Sequence, residues 1–501
     1  MVENSEYTLE ADGVKAKVII QKEKDKGFVY GLHIPQVTKP TQALLNQVRE
    51  ELIQEVKVSE SEILDPKIIG SLKKRFNEKA AILLKQKMPN LTEPVIKFLA
   101  GSLSHDMLGF GKIEFLLNDG QLEEIVINSA NESVRIYHKQ YGWLATNFTI
   151  NAEAKIQNFS NMIARRVGRQ ITALNPLLDA HLVTGDRANA ILYPISNKGN
   201  TITIRKFARD PWTVTDLINN KTSTSDIFAL IWLAIQYEMN VLISGGTASG
   251  KTSFLNVCMP FMPPNHRIIS IEDTRELQLP EFLYWCPLTT RQPNPEGKGE
   301  VNMLDLLINS LRMRPDRIIL GEMRRKAEAE VMFEAMHTGH SVYATVHADS
   351  INETIQRLTN PPIEVPPNLL GAVNLNVVMF RERRRGIRRT YQVGEFITSE
   401  ESGKVYVKPN ILYRWKASTD SMVTHSQSLR LFEDLSRHTG LSHNEINADL
   451  KTKKNILNYL VKNKIRKLAE VGKIMDLFYV DEDFLEKSVN KNIRPSILLN
   501  K

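Results

Sequence analysis

Gly245-Gly246-Thr247-Ala248-Ser249-Gly250-Lys251-Thr252 is the segment whose residue types and spacing are best suited to chemistry. It fits G-x4-G-K-[ST] and lies between an apolar, strand-like run, Asn240–Ser244, and a helix-like run that begins at Ser253. Glycines let the backbone wrap closely around an anion, so that successive N–H groups and a helix N-terminus face phosphate oxygens. Lys251 is then placed to meet β- and γ-phosphates, and the Thr252 hydroxyl to ligate Mg²⁺. The spacing predicts a nucleotide site, and its strand–loop–helix context disfavours a glycine-rich turn without a ligand.

Such a loop needs acidic partners. Arg317–Glu322 reads as an apolar strand ending in a carboxylate, which can hold a metal's water or orient an attacking one; Glu272-Asp273 ends a second strand, Arg267–Ile271. Parallel sheets bind ligands at the carboxyl ends of their strands, so these acids and the loop can converge. A strand-terminal glutamate is otherwise a solvent-facing loop residue, and the neighbouring loop decides for the functional reading. His337, His340 and His347 crowd HTGHSVYATVHADS, but neither cysteine nor HExxH spacing supports zinc. His340 and His347 flank an apolar strand, so one or both can sit beside a γ-phosphate; structural histidines are the alternative. Phosphoryl transfer also needs cations against developing charge. Arg205, Arg291, Arg312 and Arg314 are candidates; each alone reads as a surface residue, and together they suggest fingers supplied across an interface. The densest charge run, Arg381–Arg389, has strand-like flanks and Gly386 at its centre. This favours a solvated hairpin tip over a nucleic-acid or anionic-membrane surface.

The elements that must position these residues follow from length and pattern. A chain of 501 residues allows two to four domains, and 42% hydrophobic residues with a net charge of +8 excludes disordered, collagenous and coiled-coil classes. Two cysteines, Cys258 and Cys286, exclude a disulfide scaffold. There is no signal-peptide core and no membrane-spanning apolar run, which predicts a cytosolic protein. Strands are expected at Lys15–Gln21 and Phe28–Ile34, followed by helices at Gln42–Val56, at Ile68–Leu84 and after Pro94. Strands at Ile125–Ile127, Ser133–Tyr137, Ala188–Tyr193 and Thr201–Lys206, with a helix over Ala152–Gly168, make a mixed α/β domain. Ala208–Ser225 reads as a linker with Ser225 as the next helix's N-cap. Strands at Asn240–Ser244, Arg267–Ile271, Arg317–Leu320 and Ser341–Val346 then alternate with helices, which predicts a parallel sheet with crossover helices. Two strands flank the arginine run, and the chain is helical from about Ser428. The expected domains are 1–100, 101–215, 216–420 and 421–501.

Assembled in order, these blocks resemble the type II/type IV secretion ATPase superfamily, whose members power pilus, archaellum and secretion machines. GGTASGKTS is similar to its Walker A loop, ISIEDTREL to its acidic box, RMRPDRIILGEMR to its Walker B block and HTGHSVYATVHADS to its histidine box. LGFGKIEFLLNDGQLEEIVIN and the stretch 176–189 followed by ITIRKF resemble its N-terminal domain, so the resemblance covers about residues 90–380. The absence of a tetracysteine module looks most like the archaeal members. The resemblance implies a RecA-like P-loop domain with helices on both sheet faces, preceded by a mixed α/β domain and followed by a helical tail. It implies ATP and Mg²⁺, with Gly245, Gly246, Thr247, Ala248, Ser249, Gly250, Lys251, Thr252 and Ser253 on the nucleotide. It further implies Thr252, Glu272 and Glu322 toward the metal and its water, His347 near the γ-phosphate, and Arg205 approaching from the N-terminal domain. Arg291, Arg312 and Arg314 would lie near a subunit interface. The family's D-G-x-R is replaced by Thr184-Gly185-Asp186-Arg187, which leaves Arg187 without an assigned role. A hexameric ring held at the cytoplasmic membrane face by a polytopic platform protein is implied, with no nucleic-acid partner. The alternatives are a nucleic-acid-stimulated P-loop motor and a nucleotide-gated assembly factor with negligible turnover.

Overall fold

The structure, a computed structural model, describes residues 5–23, 27–35, 37–55, 66–182, 185–207, 210–293, 297–382 and 384–500. Val56, Thr184 and Ala208, each named above, and Arg383 within the arginine run lie outside the described residues. The chain forms two contact units, Met1–Arg209 and Asp210–Lys501, and the divisions expected at residues 100 and 420 fall within them.

Alternation of buried and exposed side chains drives the first unit into one nine-stranded sheet. Its strands are β1 (Ser5–Ala11), β2 (Val14–Glu23), β3 (Gly27–His33), β4 (Leu122–Ile127), β5 (Ser133–His138), β6 (Gly142–Thr149), β7 (Leu177–His181), β8 (Arg187–Ile191) and β9 (Thr201–Arg205). Their order is β1-β2-β3-β6-β5-β4-β9-β8-β7. Parallel pairing of Val29 with Ala145 and Tyr30 with Thr146 joins β3 to β6, so the N-terminal hairpins and the later strands share one sheet. Helix Glu153–Arg166 buries Ile156, Phe159 and Ile163 in the sheet's core. Helices Lys39–Glu55, Pro66–Lys87 and Glu93–Met107 pack around Leu45, Val48, Leu52, Phe76, Leu84 and Leu99.

The second unit is built on β10 (Val241–Gly245), β11 (Arg267–Glu272), β12 (Tyr284–Thr289), β13 (Arg317–Leu320), β14 (Ser341–Val346), β15 (Leu375–Glu382), β16 (Ile387–Glu401), β17 (Lys404–Lys416) and β18 (Ser421–Thr424). In the order β12-β11-β13-β14-β10-β15 they are parallel, and β16, β17 and β18 continue the sheet antiparallel. Every residue of β10, β13 and β14 is buried, as a parallel sheet covered on both faces requires. Val241, Ile243 and Met379 join a core with helices Ser225–Gln236 and Lys251–Cys258. Leu242, Leu320 and Val346 face the opposite core, with helices Met303–Ser310, Lys326–His337 and Ile351–Thr359. This is a RecA-like α/β arrangement. It puts the carboxyl ends of β10, β11, β13 and β14 along one edge.

Three readings are corrected. Thr224, not Ser225, is the N-cap: its extended backbone lets its hydroxyl accept from Ile227 N, while Ser225 is the first helical residue and bonds Asn458. The expected linker contains a helix, Val214–Asn219, closed by a reciprocal Thr213–Asp216 capping box. The region after the P-loop strands carries four strands, β15 to β18, where two were expected, because β17 and β18 extend the hairpin. Glu395 ties this extension to the tail: its buried carboxylate accepts from Leu429 N and Leu431 N at 2.6 and 2.8 Å, at the start of helix Leu431–Thr439.

Candidate nucleotide site

β10 delivers the chain into the loop at Gly245. A Cβ there would come within 2.5 Å of Ser249 Oγ and 2.6 Å of the Met379 carbonyl, so only glycine permits the turn. Gly250, at φ 94°, is the N-cap of helix Lys251–Cys258, whose first turn presents free N–H groups to an anion. Ser249 Oγ donates to Gly246 O at 2.8 Å, which fastens the loop upon itself. Lys251 Nζ donates to the carbonyls of Gly245 and Gly246 at 2.8 and 3.2 Å, and so lies across its own loop. Burial lowers its pKa from the ordinary lysine value, against which the charges of Glu322 and Asp349 act in the opposite sense. A phosphate reaching the loop would give the ammonium charged oxygens in place of neutral carbonyls, a stronger class of hydrogen bond.

Beside the loop, three strand ends contribute side chains. His347, the first residue after β14, lies with Nε2 3.2 Å from Thr247 Oγ1. Glu322 follows β13, and Arg324 donates to its Oε2 through Nη2 at 2.6 Å and Nε at 3.0 Å. Arg324 also donates to Asp273 Oδ2 at 2.9 Å, so one guanidinium joins the acids at the ends of β11 and β13. Glu272 ends β11 and is 2% exposed. Its Oε1 accepts from Glu276 N and Leu277 N at 2.9 and 3.1 Å, while Oε2 is buried without a hydrogen-bond partner. Burial pushes its carboxyl up to about 7, against the opposing pull of the two backbone N–H groups. Gly321 packs against it, since a Cβ there would lie 3.5 Å from Glu272 Cα.

The structure thus brings Lys251, Thr247, His347, Glu322 and the second unit's other nucleotide-loop residues to one sheet edge, with Glu272 on the neighbouring strand end. His340 precedes β14 and so belongs to the opposite end of the sheet, 3.3 Å from Thr338 Oγ1; His337 is exposed at the end of its helix. Arg312 and Arg314 are exposed and precede β13, away from the end that carries Glu322. Arg291 is exposed and donates to Gly299 O at 2.6 Å. Arg205 ends β9 in the first unit, paired in register with Glu124 and Arg187. Arg187 itself forms a bidentate pair with Asp179 at 3.0 and 2.6 Å. Three neighbours were assigned no role: Arg324, Asp349, whose Oδ1 would lie 2.7 Å from a Cβ on Gly246, and Arg388, whose Nε donates to Ala248 O at 3.1 Å. Each lies in a block already singled out: Arg324 two residues after Glu322, Asp349 two residues after His347, and Arg388 in the arginine run.

Among the described residues no group of three His, Cys, Asp or Glu side chains forms a metal cage. That fits Mg²⁺, which keeps waters and takes one or two protein oxygens together with substrate phosphates. The hard oxygens of Thr252, Glu322 and the unpartnered Oε2 of Glu272 suit it.

The profile of the type II/IV secretion system protein family matches residues 121–382. The chain belongs to that family. Membership and the P-loop geometry together make it an ATPase. An uncharacterised protein of Methanocaldococcus jannaschii is 36% identical over 388 residues, 75% of this chain and 69% of its own. The type IV secretion system protein PtlH of Bordetella pertussis is 30% identical over 301 residues, covering 54% of this chain and 88% of its own. The VirB11 ATPase of the Brucella suis type IV secretion system, a solved structure, is 25% identical over 56% of this chain and 90% of its own, with a TM-score of 0.30.

Proposed function

We propose that the chain is the ATP-hydrolysing motor of a membrane-bound secretion or pilus-like assembly machine, working as a homo-oligomeric, hexameric ring at the cytoplasmic face. The observation that carries this reading is the convergence of the P-loop, Glu322, Glu272 and His347 on one sheet edge of a type II/IV secretion family member. In this reading Lys251 and the loop N–H groups hold the β- and γ-phosphates. Glu322, with Glu272, orients and deprotonates the attacking water, and His347 hydrogen-bonds beside the terminal phosphate through the Thr247 position. Mg²⁺, when bound, would neutralise phosphate charge, and Thr252, with Glu322 and Glu272 toward its water, would hold it. Arg205 reaches the nucleotide from the N-terminal unit, and Arg291, Arg312 and Arg314 serve the contact between subunits.

No helix of the described residues is long and apolar enough to cross a membrane, so in this reading a polytopic platform protein recruits the motor. The archaellum and archaeal pilus machines are its preferred settings. The reading is tested by measuring phosphate release with added single- and double-stranded DNA, RNA, or vesicles of acidic phospholipid. Stimulation by vesicles and none by nucleic acid is expected; a salt-sensitive rise with DNA or RNA alone would instead assign a nucleic-acid motor.

A further inference from the structure

The arginine hairpin is exposed at its tip, at Arg384, Arg385 and Gly386, but its base is tied to the nucleotide loop. β15 lies against β10, with Gly245 paired to Met379, so the strand that feeds the hairpin is the immediate neighbour of the P-loop strand. Two residues beyond Met379, Arg381 falls on the same strand face, the one that packs with helix Lys251–Cys258. Arg388 is directly opposite Arg381 in the antiparallel register and shares that face. Like charges directly opposite each other destabilise a pair of strands.

Among the described cations of the hairpin, Arg384 is exposed at the tip and two others have acidic partners. Arg389 is nearly buried and pairs with Asp420 at 2.7 and 2.9 Å, and Arg385 pairs with Glu382. Arg381 and Arg388 do not. The Nε of Arg381 is buried without a hydrogen-bond partner, and Arg388 donates only to the neutral Ala248 carbonyl, with its Cδ 3.4 Å from a Cβ placed on Gly250. Two guanidinium groups without an acidic partner, Arg381 half-buried with an unpartnered Nε and Arg388 exposed, therefore share one face beside the phosphate loop. Buried donors without partners are rare and point to a missing acceptor.

We propose that Arg381 and Arg388 form a cationic clamp for the nucleoside end of the bound nucleotide, contacting its α-phosphate and ribose. The inference rests on the nucleotide-site reading and deepens it. Glu322 and His347 follow β13 and β14, on one flank of β10, and the phosphate to be hydrolysed faces them. β15 lies on the other flank, so the hairpin is left to the opposite end of the ligand. The planar guanidinium suits this task, because it binds phosphate oxygens bidentately and stacks on a purine ring.

The test is ADP binding, by calorimetry, to the full chain carrying Arg381→Ala, Arg388→Ala, Arg385→Ala or Lys251→Ala, with the Tm of each nucleotide-free protein. Loss of either clamp arginine should weaken ADP about tenfold or more, with an unchanged or raised nucleotide-free Tm as the like-charge repulsion is relieved. Arg385→Ala should bind as the wild type does. Wild-type affinity in both clamp variants overturns the inference, as does a lowered nucleotide-free Tm with affinity retained, which would mark the arginines as loop supports. Should an alanine variant fail to fold, Arg388→Gln gives the same reading. A wild-type chain that binds no ADP overturns the nucleotide site itself, and the clamp with it.

Discussion

Lys251→Ala abolishes ATP turnover and leaves the fold standing. Steady-state phosphate release falls at least about 100-fold, the scale expected when a charge-stabilising donor is removed from a phosphoryl-transfer site. The structure explains why the fold survives. Lys251 is half-buried and bonds only to carbonyls of its own loop, so its removal orphans no core group. Helix Lys251–Cys258 is held instead by the buried Phe254, Leu255 and Val257. Phosphate release within a few-fold of wild type would remove the site assignment, and a collapsed Tm would show that the lysine is structural.

Glu272→Gln should combine a large kinetic loss with a gain in stability. As a general base or water-orienting group, Glu272 contributes about 10²–10⁴ in rate, so turnover should fall by that order. Its stability effect has the opposite sign. The folded carboxyl titrates near 7 against an ordinary 4.5. The proton it holds therefore stabilises the fold fully below about pH 4.5, and that stability is lost as the pH rises through 7. The difference is worth about 3 kcal/mol, and glutamine, which cannot ionise, does not lose it. Denaturant titrations in EDTA without nucleotide should show the wild type falling relative to Glu272→Gln between pH 5 and pH 8. Parallel curves would mean that Glu272 is solvated, and undiminished turnover would take it out of the chemistry.

How much of this was legible in the sequence depends on how local each signal is. The P-loop, β13 and β14 are contiguous apolar runs with turn or loop residues at their ends, and local pattern suffices for them. β12 was missed because Pro287 and its half-exposed residues blur an edge strand. β1 alternates polar and apolar residues without a buried run, and β17 carries charges at both ends, so neither announced itself. Glu272 looked like any acid in an acidic pair. Its burial follows from the turn at Glu276 and Leu277, whose N–H groups fold back onto it. The bond from Arg388 to Ala248 joins residues 140 positions apart, and no spacing rule reports it. The exposed tip at Arg384, Arg385 and Gly386 is legible from the run, but the bond that turns Arg388 to the loop and the burial of Arg389 against Asp420 are not. His347 was legible only as one of two histidines flanking β14; the parallel pairing of β14 with β10 puts it, and not His340, at the end that carries the loop.

If this chain hydrolyses ATP as an assembled motor, phosphate release per chain depends on protein concentration. Turnover per chain, measured across a range of protein concentrations, should rise to a plateau as rings assemble, and Lys251→Ala should remove it at every concentration. Turnover per chain that is independent of concentration, or indistinguishable from that of Lys251→Ala throughout, would contradict hydrolysis by an assembled motor.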